Sequence, residues 1–443
     1  MPNFRLNDTL EGLNVALINV GSVLGGLFAG QICDKWGRKM GIAASAAITI
    51  VAVAIQASAT KEAAFCVGRV LLGMAVTVNG VAAPTWVMEM AHPKRRGVLG
   101  GTYMATWYLA ATIVTAIAMG TYHMTSTWAW RILAVLQVAP SLLSLSLLPW
   151  MPESPRWLIA QDRHEEAIEI FAILHGDGDV SHPLVQAEIK EITDTILYEK
   201  ANARPWKSLI SPTPNLRRFC IVIVLNIAAQ VVGSNIMSSY AGVVYDQAGV
   251  TSTARQLTLT LGLDIFNLGL AAIGSFVVER LGRKTMLFSA TVFMTVMLCI
   301  MAVLTALFED TTNKAAGQGM LAISFFLLGA YSFAWTSLTF VYPVEVLNFT
   351  QRAKGLAVGQ MACYAFGFVN QYTTPIAIDN IGWRYYVANA AWNVPICAII
   401  WFLFVETKGR SLEEVDELFD GCVHAEGVFV GNGDEVRNKG GDI

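Results

Sequence analysis

Eleven separate stretches of this chain are each long and apolar enough to cross a lipid bilayer, and no other feature limits the fold as tightly. A crossing helix takes about 20 mainly apolar residues. The stretches lie at 13–33, 40–59, 64–90, 98–120, 129–150, 219–245, 255–278, 286–308, 318–347, 354–378 and 384–404. Only 14% of the 443 residues are charged, against about 25% in an ordinary soluble domain. The expected class is therefore all-α and polytopic, with the lipid bilayer as its main partner. A net charge of −3 without any long basic run gives no sign of a nucleic-acid partner. Six of the seven cysteines (Cys33, Cys66, Cys220, Cys299, Cys363, Cys397) fall inside apolar stretches. They lack metal-type or secreted-domain spacing and read as small hydrophobes. The first twelve residues hold no signal-peptide core, so targeting is expected to come from the helices themselves.

Between the fifth and sixth stretches lies a polar insert, 151–217, whose HEEAIEIFAILHG and HPLVQAEIKEITDTILYEK segments show amphipathic helical periodicity. The chain thus divides into a first transmembrane half (1–150), a helical linker (151–217), a second half (218–404) and a helix with a tail (405–443). Short loops set the orientation, because lysine and arginine are retained in the cytoplasm. The loops at 34–39, 91–97, 279–285 and 348–354 hold 3, 3, 3 and 2 such residues, while the opposite loops hold at most 1 each. The linker and C-terminus are expected to be cytoplasmic.

The two halves repeat one another. Asp34, Gly37, Arg38 and Lys39 are echoed by Glu279, Gly282, Arg283 and Lys284, 245 positions later. Glu89 and Arg96 recur as Glu345 and Arg352, Trp130 and Arg131 as Trp383 and Arg384, and Glu153 and Ser154 as Glu406 and Thr407. Four echoes in one order at nearly one offset indicate duplication. Parallel repeats about an axis along the membrane normal, with a binding site at the midplane between them, are a transporter architecture. The second half has six stretches and the first has five. Shifting 219–245 back by 245 places its counterpart before Met1, so the expectation is two six-helix halves with helix one missing and eleven crossings in this chain.

An ordered set of motifs carries a resemblance over almost the whole length: DKWGRK, GRVLLG followed by PTWVMEMAHPKRRG, PESPRWL, VYPVEVLNFTQRAKG, NQYTTPIAIDNIGWRYY and VETKGRSLEEVDELF. The chain resembles the sugar porters of the major facilitator superfamily, most closely fungal lactose permease-like and hexose transporters. That resemblance implies transport of a hexose or a disaccharide such as lactose by alternating access, by proton symport or facilitated diffusion. It implies a plasma-membrane protein, expected to act as a monomer.

Arg38, Glu89, Arg96, Glu153, Arg283, Glu345, Arg352 and Glu406 sit at cytoplasmic helix ends, where opposite charges can pair between spans. The resemblance assigns them to the inner gate, which closes and opens as the halves rock. Arg69 lies inside its span, and an intramembrane charge is a functional hypothesis by default. It matches the fourth-helix arginine that proton-coupled sugar porters set against an acid on helix one. Asp264 is the one carboxylate clearly within a span, on much the same helix face as Asn267. It stands where relatives are expected to carry an amide, and it reads as a proton site, a sugar ligand or the lining of a watery cavity.

Amides suit hydroxyl-rich ligands because each both donates and accepts, and aromatic rings stack on apolar sugar faces. The resemblance makes Gln230, Asn235, Asn267, Phe340 and Asn370 the expected substrate contacts, with Gln371 nearby. Departures from the family's pattern occur at Ala229, Met104, Phe340 and Gly367, and they leave open a different sugar, a glycoside or another polyol. Gly21, Gly25, Gly26 and Gly30 on the first stretch read as close-packing positions.

None of the six histidines lies deep in a span, so no metal site, no cofactor and no catalytic constellation is expected. Ser411 and Glu414 form a capping-box pattern opening SLEEVDELF. The glycine-rich tail beyond it has the composition of a disordered segment. Two further readings stay open: a sugar sensor, against which the short tail argues, and a truncated, non-transporting chain.

Overall fold

The computed structural model describes residues 8–92, 96–201, 209–211, 213–311, 314–347, 352–408, 415 and 418–419. The side chains of Arg96, Met104 and Glu279, the Ser411–Glu414 pattern and the glycine-rich tail lie outside the described residues. In hydrocarbon every backbone polar group must be satisfied within the protein, which is why the apolar stretches become helices.

The first half contains α1 (Asp8–Trp36), α2 (Arg38–Ser58), α3 (Glu62–Met90), α4 (Arg96–Thr121), and a fifth span interrupted at Gln137 as α5 (Trp128–Leu136) and α6 (Val138–Leu147). The linker carries α7 (Pro155–Ala160), α8 (His164–His175) and α9 (Pro183–Ala201). The second half contains α10 (Thr213–Val231), α11 (Ser234–Gln247), α12 (Thr253–Leu281), α13 (Arg283–Thr311), α14 (Lys314–Val346), α15 (Arg352–Ile381) and α16 (Arg384–Leu403). Among the described residues nine segments pass length and hydropathy together as crossings, counting α5–α6 and α10–α11 as one each. α15 is 30 residues long but less apolar, carrying Gln360, Asn370, Gln371, Asp379 and Asn380.

Within the first half, α1 and α3 touch backbone to backbone. A Cβ on Gly21 would lie 1.9 Å from the Val70 carbonyl oxygen, and one on Gly73 would lie 2.0 Å from that of Ile18. Glycine is therefore obligatory at this crossing, whereas Gly30 has open space around it. The second half holds the larger apolar core, centred on Trp335, Leu338 and Tyr342 of α14 with Met294, Leu298 and Met301 of α13. The linker helices form a small core of their own around Leu158, Ile159, Ala167 and Ile196. They dock on the first half through His175, whose ring centroid lies 5.1 Å from that of His92 beyond α3. His175 Nδ1 is 2.6 Å from Glu188 Oε2 of α9. The halves meet along two seams, α1 against α15 and α4 against α12.

Candidate functional site

The duplicated motifs build the same device twice at the linker end. Gly37 and Gly282 break the chain between consecutive helices with φ of 96° and 92°, a region open to glycine at little cost. The turn aims the first amides of α2 and α13 at one carboxylate each. Glu153 accepts from the amides of Arg38 (3.1 Å) and Lys39 (3.2 Å), and Glu406 accepts from those of Arg283 (2.8 Å), Lys284 (3.1 Å) and Thr285 (3.3 Å). A negative charge at a helix N-terminus satisfies orphan donors and complements the helix dipole. A Cβ on Gly37 would lie 2.3 Å from Glu153 Oε2, and one on Gly282 would lie 2.6 Å from Glu406 Oε2.

The arginine side chains complete the device. Arg38 holds Glu89 with Nε and Nη2 at 3.0 Å each. Arg283 holds Glu345 with Nη2 at 2.8 Å and Nε at 3.1 Å. Such bidentate pairs are directional and among the stronger ionic contacts. Ser154 donates to Glu89 at 2.5 Å and Thr407 to Glu345 at 2.6 Å, so the Glu-Ser and Glu-Thr echoes each supply one cap and one hydroxyl. Both ion pairs lie inside a single half: each fastens its own half into a unit rather than clasping the two together. Arg352 donates to the Leu347 carbonyl oxygen at 3.5 Å, also within its own half.

The middle of the bundle is organised by a broken helix that hydropathy did not reveal. The stretch at 219–245 is continuous in the sequence but splits into α10 and α11 at Gly233, whose φ is 103°. The break strands the last carbonyls of α10 where no water is guaranteed. Side chains take their place. Ser234 donates to the Ala229 carbonyl (3.4 Å), Asn235 to that of Gln230 (2.8 Å), Trp392 to that of Val231 (2.6 Å) and Asn393 to that of Val232 (3.2 Å). Asn370 also donates to the Gln230 carbonyl.

Gln230, Asn235 and Asn370 are thereby brought into one cluster. Asn235 reaches the Gln230 side-chain oxygen at 3.2 Å, and Gln230 Nε2 donates to Cys363 Sγ at 3.0 Å. Gly367 sits beside them: a Cβ there would lie 3.2 Å from Gln230 Oε1 and 3.1 Å from Asn19 Oδ1. The absence of a side chain at Gly367 is what leaves room for both amides. Asn19 of α1 donates to Gln371 of α15 at 2.8 Å, so the cluster reaches across the halves. Tyr240 donates to the Gln371 carbonyl oxygen at 2.5 Å.

Asn267 is placed differently. It is 0% exposed, and neither side-chain atom has a hydrogen-bond partner among the described residues. Phe340 is 46% exposed and lies one turn along α14 from Thr336. Thr336 and Ser332 bond the Tyr108 hydroxyl of α4 at 3.0 and 2.7 Å. Arg69 lies with its guanidinium carbon 5.2 Å from the Phe65 ring centroid, and its Nε has no partner among the described residues. Asp264 Oδ2 accepts from Thr115 of α4 at 2.9 Å.

Sequence reasoning missed Asn19, Tyr108, Tyr240, Thr115 and the α16 residues Trp392 and Asn393. A polar residue in an apolar stretch was the available signal for each. Its partner lies up to 352 positions away, as for Asn19 and Gln371, and no local pattern names it.

A family model described as "Sugar (and other) transporter" matches residues 5–419. The MFS-type transporter oryC of Aspergillus oryzae is 31% identical, over 91% of this chain and 76% of its own. The high-affinity glucose transporter of Kluyveromyces lactis is 27% identical, over 93% of this chain and 77% of its own. Among solved structures, the proton:xylose symporter XylE bound to 6-bromo-6-deoxy-D-glucose aligns with a TM-score of 0.77 at 21% identity, covering 94% of this chain and 91% of that one. The inward-open form of XylE from E. coli aligns at 0.76. The likeness to XylE carries the fold, and the 31% identical oryC is an MFS-type transporter. With its family matched over nearly the whole length, this chain is an integral membrane protein of the sugar (and other) transporter family, a transporter rather than an enzyme.

Proposed function

We propose that this protein carries a hexose, or a disaccharide such as lactose, across the plasma membrane by rocking its two halves about a site at mid-bundle. The observation that carries this reading is the amide cluster of Gln230, Asn235 and Asn370 around the broken helix α10–α11, joined to the first half through Asn19 and Gln371. A rocking pair of bodies exposes such a seam to each side in turn. Sugar hydroxyls can take over from the side-chain partners of Gln230 and Gln371, which are Asn235, the Cys363 thiol and Asn19. Asn267, buried with both polar atoms unmatched, adds a group that a hydroxyl-rich ligand would satisfy. Phe340, exposed beside Thr336, offers an apolar face for a ring to stack on.

The remaining roles follow from placement. Eleven crossings, with 1–150 and 218–404 as the moving bodies, put the linker 151–217 and the C-terminus on the cytoplasmic side. Arg38, Glu89, Glu153, Arg283, Glu345 and Glu406 hold each body rigid at that end; Arg96 and Arg352 extend the same cytoplasmic gate. The chain acts as a monomer in the bilayer and needs no cofactor. Arg69 and Asp264 are the groups through which a proton could couple to the cycle, and relatives named as glucose transporters and as a proton:xylose symporter point to the same cargo class.

Uptake of radiolabelled glucose, galactose, lactose and cellobiose into transporter-deficient cells, with and without a protonophore, tests this reading. Saturable uptake of one of them is expected. Protonophore-sensitive accumulation selects symport, and equilibration without accumulation selects facilitated diffusion. Absence of uptake for all four rejects the sugar assignment and directs the search to glycosides and other polyols.

A further inference from the structure

α12 and α4 belong to different halves, and among the described residues Asp264 is the one in-span carboxylate at their seam. Thr115 lies six residues before the end of α4, and α12 begins at Thr253. Both helices have their other ends at the linker side, so the Asp264–Thr115 contact lies in the part of the bundle away from the linker. We propose that Asp264 is a proton-binding group whose protonation holds the bundle shut at the end opposite the linker, through its hydrogen bond to Thr115 across the two halves.

The surroundings supply the reason. Asp264 is half-buried, and Thr115 is its one hydrogen-bond partner among the described residues. The titratable groups near it are phenols: Tyr108 on α4 and Tyr245 on α11, with Tyr331 of α14 behind Tyr108. α13 brings no acid or base to the seam between its ends, and among the described residues no lysine, arginine or histidine accompanies Asp264. An ionised carboxylate held between two packed helices without a counter-ion is strongly disfavoured. The protonated acid is compatible with closure, because it is neutral and can both donate to and accept from the Thr115 hydroxyl. When the halves part at this end, water enters the seam and hydrates the charge. The proton is thus bound more tightly by the closed arrangement than by the open one. By linkage, protonation must favour closure to the same extent, and closure must weaken as pH rises. This device does not involve Arg69. It rests on the rocking motion proposed above and not on the cargo being a sugar.

The test is a distance measurement on the full chain in lipid nanodiscs. Nitroxides carried by unnatural amino acids replace His123 and Ser252, two exposed positions at the end opposite the linker, and double electron–electron resonance reads their separation between pH 5 and pH 8. In the unsubstituted protein the closed-to-open ratio is expected to fall as pH rises, by at most about tenfold per pH unit for a single coupled proton. Asp264→Asn, neutral throughout, is expected to stay closed and to lose the pH dependence. Thr115→Val is expected to weaken closure while keeping it. A pH-independent separation in the unsubstituted protein overturns the proposal, as does an unchanged pH dependence in Asp264→Asn. Sugar uptake by the same variants in sealed proteoliposomes keeps the two readings apart. A pH-driven gate without uptake rejects only the cargo, whereas uptake with a pH-insensitive gate rejects only the role of Asp264.

Discussion

At the linker end, Arg38 grips Glu89 while Glu153 caps α2, and Arg283 grips Glu345 while Glu406 caps α13, so the two halves present nearly the same set of bonds. At mid-bundle the halves part company. The first half offers Arg69 against the Phe65 ring; the second offers a helix broken at Gly233 whose free carbonyls are taken up by five side chains. The difference follows from where the partners are. Every group of the linker-end device lies within one repeat, so the duplicated sequence reproduces it. The mid-bundle contact between Asn19 and Gln371 instead spans the two halves, where no repeat offset constrains it.

The largest expected effect addresses that likeness. Arg38→Ala and Arg283→Ala each leave a largely buried glutamate unpaired, and each should cost about 3 kcal/mol of stability. Thermal unfolding in detergent checks this. A clear inequality between the two would break the equivalence of the repeats. Next, Gly37→Ala and Gly282→Ala force a side chain into positive φ and displace a capping carboxylate, with an expected loss of about 2 kcal/mol each. If one is tolerated, the cap on that side is dispensable.

Mid-bundle substitutions should behave in the opposite manner, changing transport more than stability. Gln230→Ala is expected to raise the half-saturating sugar concentration about tenfold, equivalent to about 1.4 kcal/mol, with little change in unfolding temperature. A stability loss as large as that of Arg38→Ala would mark Gln230 as part of the scaffold instead. The smallest effect is the most diagnostic. Asn267→Leu keeps the branched shape and removes a buried amide with no hydrogen-bond partner among the described residues, so it should stabilise the empty protein by about 1 kcal/mol while abolishing transport. Stabilisation with full transport would remove Asn267 from the site.

Much of this contrast was legible beforehand. The spans read from hydropathy lie within a few residues of α1–α4 and α12–α16, because bilayer thickness and apolar composition fix a helix almost without reference to its neighbours. The Gly-Arg-Lys and Glu echoes located the linker-end device, since the repeat offset pairs its members. The break at Gly233 was not legible: a glycine in an apolar run is as common in packed helices as in broken ones. Asn370 and Asn235 were expected as substrate contacts; their use in holding the Gln230 carbonyl was not foreseen, because that need arises only once α10 has ended.

The sequence by itself determined that this chain crosses the membrane as helices, that it is built from two repeats, and that its charges gather at one end, because hydrophobicity, periodicity and charge are local properties. Tertiary structure alone decided that each arginine–glutamate pair stays within its half, that Asn19 meets Gln371, and that Asp264 meets Thr115. Those outcomes depend on which helix faces come to lie against each other, and packing between distant segments chooses them.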